Sequence, residues 1–400
     1  MLPYYVRVLA HWIYKGTAMS SPKIIERFVA TDVNGAIWLR LKRLTSSQIC
    51  QKIIRKNHPS LQEVEYINKS VGMSSAIRSA IGYWETENGG LNSKILSRYY
   101  ALLQISLAEQ ISSGDPKDDL KAVQKHTESG HGLFTKTIEN GTFPDNILIG
   151  CLKSGHFYSY AKNIGIDIKK YSSERRPRND EELEASHTYT LTDLLRRIPE
   201  LRIQIKEILG KNPLSFQIGH ASRNMTLRSR EWTQGLSRST PNFPGFTYAA
   251  IYPKGVEITA EELNSYNFGI TDIEMEAKEN ITKHDEDYFV GKVFHPEGEL
   301  WWDHILTHKS GYCGTSAIVP FWGTQDPFIL HLVVFYALSI IVRYLPETWY
   351  EIEHGKLDHM NSFLENYLAI FDSVLPKLAV ERLTKTHLVV TSPDSMNSPI

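Results

Sequence analysis

The sequence predicts an α+β protein, in which N- and C-terminal segments form a mainly helical, bundle-like body and a β-rich insertion interrupts them. Three observations predict this. Apolar residues recur three and four apart in two early segments, with Ile77, Ile81 and Trp84 in one and Ile95, Leu96, Tyr99, Leu102 and Leu103 in the next. Residues 241–323 switch to short aromatic and β-branched runs separated by Pro-Lys-Gly and His-Pro-Glu-Gly turns. The composition is that of an ordinary globular chain, 42% hydrophobic and 22% charged over 400 residues. Together these place four regions: 1–70 with short helices, 71–240 helical with a small strand pair near 147–160, the β-rich insertion 241–323, and a helical region 324–400.

Taken in order, MLPYYVRVLAHWIYKG is apolar but interrupted by Arg7 and His11, so it reads as a core helix or strand rather than a signal peptide. The stretches SSQICQKIIRKN and SLQEVEYINKS read as small amphipathic helices that end near Gly72. A helix from Ser74 to Asn88 stops at Gly89-Gly90, and a second, capped by Asn92 or Ser93, runs to Gly114. So short a connection makes the two antiparallel neighbours. A helix from Pro116 to His126 leads into Gly130-His131-Gly132, where paired glycines imply a tight corner or a close backbone approach. ILIGCLKSGHFYSYAKNIG reads as a strand pair about Ser154-Gly155, and Lys169–His187 as a long polar loop whose Arg175, Arg176 and Arg178 are balanced by Asp180, Glu181 and Glu182.

Thr190–Gly210 is predicted helical with a break at Pro199 and a C-terminal cap at Gly210. FTYAAIYP, YFVGKVF and ELWWDHIL supply the strands of the insertion, and Thr259 caps one short helix between them. Asp326-Pro327 opens the most apolar helix, ended or kinked by Pro346. Its core, Phe328–Val342, falls short of the roughly 20 residues a membrane span needs, so no membrane partner is expected. A last helix from Met360 to Lys385 should break at Pro376 before a strand-like His387-Leu-Val-Val and a Ser/Pro/Asn tail. The bundle predicts that Ile95, Tyr99, Leu103, Val334, Leu338 and Ile341 are buried.

A formal net charge of -1 provides no global basic field for nucleic acid or anionic membrane. Cys50, Cys151 and Cys313 lie far apart, without CxxC spacing, which points to a reducing cytoplasm rather than a disulfide framework. Walker A, GxGxxG, HExxH and GxSxG motifs are absent.

Ser97-Arg98-Tyr99-Tyr100-Ala101-Leu102-Leu103 with Gly130-His131-Gly132-Leu133, and above all Phe335-Tyr336-Ala337-Leu338-Ser339 with Arg343-Tyr344-Leu345-Pro346-Glu347-Thr348-Trp349, resemble the YaaC-like family of bacterial proteins. The resemblance extends from about Ala36 to Ser392 and is carried in the middle only by length and hydrophobic rhythm. It implies a helix-rich cytosolic protein and supplies no activity, cofactor or catalytic residue. The first helical pair also resembles HEPN modules, whose second helix often has a Tyr-Tyr-Ala pattern like residues 99–101.

Three groups of residues are candidates for chemistry. Arg223, Arg228 and Arg230 with Trp232 combine guanidinium groups and an aromatic ring, the set a nucleic-acid backbone and a stacked base require. Arg382 and His387 have the R-x4-H spacing of HEPN-type ribonucleases. The resemblance implies an arginine that neutralises phosphate and a histidine that exchanges a proton with a ribose 2′-hydroxyl; an exposed helix end with basic residues accounts for the same spacing. Asp303, His304 and His308, with His295 before and Cys313 after, form the best metal-like cluster. On a helix the two histidines share a face, whereas on a strand they lie too far apart to chelate. No metal ligand is assigned and no cofactor is expected. The functional expectation is a cytoplasmic bacterial interaction module that binds a protein partner, a second copy of itself or nucleic acid, a defence or toxin system being one setting for it. The alternative is a metal-independent HEPN-like ribonuclease.

Overall fold

The computed structural model describes residues 24–86, 89–139, 141–179, 181–221, 245–276, 287–297 and 299–391. Strand β1 (Ile24–Val29) is followed by helices α1 (Val33–Arg43), α2 (Ser47–Asn57), α3 (Glu63–Trp84), α4 (Leu91–Ile111) and α5 (Leu120–Glu128). Next come β2 (Leu133–Thr137), β3 (Ile147–Leu152), α6 (His156–Asn163), β4 (Ser172–Ser173), β5 (Thr188–Thr190), α7 (Leu191–Leu195) and α8 (Arg202–Leu209). The second sheet then begins, with β6 (Ser215–His220), β7 (Phe246–Tyr252), α9 (Ala260–Ser265), β8 (Thr271–Met275), β9 (Phe289–Phe294), β10 (His308–Ser310) and β11 (Gly314–Ile318). The chain returns to the body through α10 (Pro327–Tyr344), α11 (Pro346–His354), α12 (Asp358–Thr384) and β12 (Thr386–Thr391).

The fold is α+β. Helices α3, α4, α10 and α12 enclose one large core that also takes in the four-stranded sheet built on β2 and β3. A separate core lies under the six-stranded sheet, ordered β10-β11-β6-β7-β9-β8. The two meet where β11 ends, since Ile318 belongs to the first core and its neighbours Ala317 and Val319 to the second. Arg197 fastens this seam, its Nε donating to the carbonyl of Val319 at 3.1 Å.

Helix α10 is apolar on all sides because it runs through the body: by length and composition it could cross a membrane, yet 72% of it is buried inside the protein. As expected, Asp326 caps it, accepting from the Phe328 and Ile329 amides. Ile95, Tyr99, Val334, Leu338 and Ile341 are buried, whereas Leu103 is only half-buried. Asp372 ties three helices together, accepting from Trp84 Nε1 at 2.7 Å and from the Arg98 guanidinium at 2.8 and 2.9 Å.

Several boundaries differ from the sequence reading. Helix α3 continues through Gly72, where a Cβ would lie 3.2 Å from Ile111 and Leu120, so this glycine permits close packing and does not end the helix. The segment after Gly155 is helix α6, not a second strand, and it buries Phe157, Tyr160 and Ala161 at helical spacing. Pro376 lies inside an unbroken α12. The six-stranded sheet starts at Ser215, before the insertion drawn at 241, and Trp301–His304 is a 3-10 turn rather than a strand. Arg223, Arg228, Arg230 and Trp232, like the N-terminal segment 1–23 and the tail 392–400, lie outside the described residues.

Candidate functional site

Arg382, in the last turn of α12, has all three guanidinium nitrogens engaged inside the body. Nε donates to Glu109 Oε2 at 2.7 Å, Nη2 to the Tyr160 hydroxyl at 3.0 Å, and Nη1 to Asp326 Oδ2. Tyr160 in turn donates to Glu109 Oε2 at 2.6 Å, and Lys385 Nζ to Glu109 Oε1 at 2.9 Å. Burial alone would raise the Glu109 carboxyl, but the charges of Arg382 and Lys385 outweigh it and hold the group at about 2. His387 lies beyond the helix on β12, where Nδ1 is 3.0 Å from Glu381 Oε1. The two residues of the R-x4-H pair are thus held by separate carboxylates. Arg382 is not the solvated helix end that its spacing suggested: 16% of its side chain is exposed.

The Gly130-His131-Gly132 segment is a corner. Its carbonyls accept from the first amides of α6, His156 N to Gly130 O and Phe157 N to His131 O, both at 2.9 Å. Gly130, Gly132 and Gly155 all have positive φ, and a Cβ on Gly155 would sit 2.5 Å from Gly132 N. The corner is locked to the helices by a ring cluster in which Tyr99 OH lies 2.7 Å from His131 Nδ1 and Tyr336 OH donates to Leu133 O at 2.8 Å. Behind it, His156 bonds Ser106 through Nε2 at 2.8 Å while Nδ1 is buried without a partner among the described residues. Burial, then the neighbouring His131 and His126, pull His156 down to about 3.

The metal-like cluster divides in the structure. His304 turns to Glu299, with Nε2 2.7 Å from Oε2, and His295 to Thr247 at 2.7 Å. His308 instead points into the seam, where Nε2 lies 2.5 Å from Oε1 of Glu200, and Cys313 Sγ lies 3.9 Å from the same oxygen. Ligand-capable atoms of Glu200, His308 and Cys313 all fall within 4.8 Å of one another. Glu200 stands on the 3-10 turn Pro199–Leu201, which Pro199 initiates between α7 and α8; His308 opens β10 and Cys313 lies in the tight β10–β11 connection. The Glu200 side chain is fully buried, and its Oε2 has no hydrogen-bond partner among the described residues. Burial would raise this carboxyl, but the His308 hydrogen bond and charge hold it at about 2. Burial and then Glu200 push the Cys313 thiol up to about 11, so it is no thiolate nucleophile at neutral pH. Sequence reasoning paired His308 with Cys313 and missed Glu200, which is 108 residues away from His308 and carries no local signal beyond its proline neighbour.

A family model described as YaaC-like protein matches residues 42–383. The chain belongs to the YaaC-like family. No curated protein and no solved structure matches it. Within this YaaC-like chain, the residues that carried the resemblance have visible work. Arg98 joins α4 to α12 through Asp372, Tyr99 and Tyr336 grip the Gly130–Leu133 corner, and the Arg343–Trp349 segment turns the chain from α10 into α11. Beyond that turn lies a groove of about 690 Å3, lined by Phe143, Asn146, Pro346, Glu347, Tyr350 and Leu357 among others.

Proposed function

We propose that this YaaC-like protein is a cytoplasmic binding module that seats a protein partner in the groove beside α11. The observation that carries the reading is the make-up of that groove: Phe143, Pro346, Tyr350 and Leu357 offer apolar surface, and Glu347 and Glu351 offer carboxylates. Tyr350 stands 60% exposed on its helix, as does the neighbouring Tyr344 at 64%. Large aromatic side chains held on a rigid helix are common anchors of protein interfaces because they bury much area for little lost conformational freedom. The carboxylates select a partner segment in which an apolar side chain is flanked by lysine or arginine. The free thiols of Cys50, Cys151 and Cys313 support a reducing compartment.

The test places a photo-crosslinking amino acid at position 350 in the native host, with position 203 on α8 as the exposed control. A protein captured at 350 and not at 203 is then purified and titrated against wild type and against the double variant Glu347→Lys, Tyr350→Ala. The expected result is an affinity loss of about 30-fold or more, the scale of an anchor residue. Equal capture at both positions, or unchanged affinity of the double variant, refutes the groove. Capture that disappears after nuclease treatment would refute a direct protein partner and assign nucleic acid instead.

A further inference from the structure

We propose that Glu200, His308 and Cys313 form a binding site for a divalent transition-metal ion of the zinc type, at the seam between the helical body and the six-stranded sheet. The donor set is the first argument. Carboxylate oxygen, imidazole nitrogen and thiolate sulfur are the ligands that zinc takes, and three protein ligands with a position left for water is a recurring zinc arrangement. Here the three donors come from two separate parts of the fold, yet their atoms lie within 4.8 Å of one another.

An unsatisfied carboxylate oxygen points the same way. A carboxylate removed from water needs its oxygens occupied, and leaving one without a partner costs free energy. Glu200 Oε1 is bonded to His308, whereas Oε2 has no partner among the described residues although the side chain is fully buried. The Glu109 carboxylate, buried to a similar degree, has both oxygens occupied. A divalent cation supplies what Glu200 lacks.

Charge balance is the third argument. Binding removes two protons, that of the Cys313 thiol and the one that joins His308 Nε2 to Glu200, and both pass to the buffer as the metal bonds form. His308 coordinates as neutral imidazole through Nε2, the nitrogen that already faces Glu200, with its proton on Nδ1. One thiolate and one carboxylate then neutralise the two positive charges of the ion, so the metal with its three ligands adds no net charge to the seam. The geometry requires a small opening, since ligand atoms around tetrahedral zinc stand about 3.3 Å apart for bonds of about 2.0–2.1 Å, whereas His308 and Glu200 stand at 2.5 Å. The β10–β11 turn has room for it: a Cβ placed on Gly311 would meet nothing within 4 Å, and Gly314 has φ 64°.

The experiment uses the untagged full-length chain, stripped with chelator and then titrated with cobalt(II), which takes zinc sites and reports its ligands by absorption. Wild type should bind one cobalt per chain with a thiolate-to-cobalt charge-transfer band in the near ultraviolet. Zinc should displace that cobalt. Cys313→Ser should abolish the band and weaken binding by about tenfold or more, and Cys50→Ser should leave both unchanged. X-ray absorption of the wild-type zinc form keeps the proposal falsifiable if Cys313→Ser fails to fold. One sulfur with nitrogen and oxygen ligands supports the site; a shell without sulfur overturns it. Absence of stoichiometric binding, or a charge-transfer band that survives in folded Cys313→Ser, overturns it as well and leaves Glu200 and His308 as a hydrogen-bonded pair.

Discussion

Glu109 in the helical body and Glu200 at the seam are both buried glutamates held at about 2, but they reach that state by different means. Glu109 is enclosed by Arg382, Lys385 and Tyr160, and the cluster extends through Asp326 to the first amides of α10. Every member serves another member, and the result fixes how α4, α6, α10 and α12 meet. Glu200 has one histidine partner and one unoccupied oxygen. The first arrangement is complete among the described residues; the second leaves one carboxylate oxygen open. Buried charge by itself therefore does not mark a functional site; Glu200 differs in that its open oxygen lies beside a histidine and a cysteine.

The comparison fails first if the body network proves dispensable. Arg382→Met leaves Glu109 and Asp326 without their shared cation and should cost about 3–5 kcal/mol, read by chemical denaturation. A loss well under 1 kcal/mol would show that the network contributes no architecture. The same network predicts a pH dependence. Glu109 has a folded pKa of about 2, below the ordinary 4.5, so its contribution is present above about pH 4.5 and disappears as pH falls toward 2. Glu109→Gln should lose that part of the acid transition, and an acid profile identical to wild type would contradict the assignment.

Leu338→Ala tests packing without charge. The side chain is 1% exposed in the centre of α10, and its removal should cost about 2–5 kcal/mol. Gly155→Ala probes the corner, where positive φ and contact with Gly132 should give a loss of about 1–3 kcal/mol in thermal unfolding. The smallest expected effect sharpens the contrast: Glu200→Gln keeps an acceptor for His308 and should change the stability of metal-free protein by only about 1 kcal/mol. A loss as large as that of Arg382→Met would make the seam as architectural as the body.

The helical body was legible because its signals are local. Asp326-Pro327, the apolar run after it, Pro199 and Gly210 each fix backbone chemistry within a few residues, and all are found where expected. Local rules also misled. Gly72 and Pro376 read as breaks, yet in the fold one permits close helix packing and the other is accommodated in a buried helix. Trp301 and Trp302 looked strand-like by composition, but they stack at 3.7 Å in a 3-10 turn, a geometry that β-propensity does not foresee. The seam was half legible. His308 and Cys313 are five residues apart and visible together, whereas Glu200 arrives only because the sheet folds back on the 3-10 turn. The role of Arg382 was hidden for the same reason, since Glu109 and Asp326 approach it across 273 and 56 residues.

Strand β1 pairs in parallel with β12, Ile24 opposite Thr386 and Val29 opposite Thr391. During synthesis, residues 24–29 leave the ribosome more than three hundred residues ahead of their partner strand. Until then β1 carries amides and carbonyls with no ladder to join, together with Ile24 and Ile25, an edge suited to pairing with another nascent chain. Pairing with β12 closes one of the two edges of β1. A chain stopped at Thr384 would retain every helix of the body and leave that edge of β1 unpaired, so such copies should aggregate or be degraded although, among the described core residues, they lack Leu388 alone.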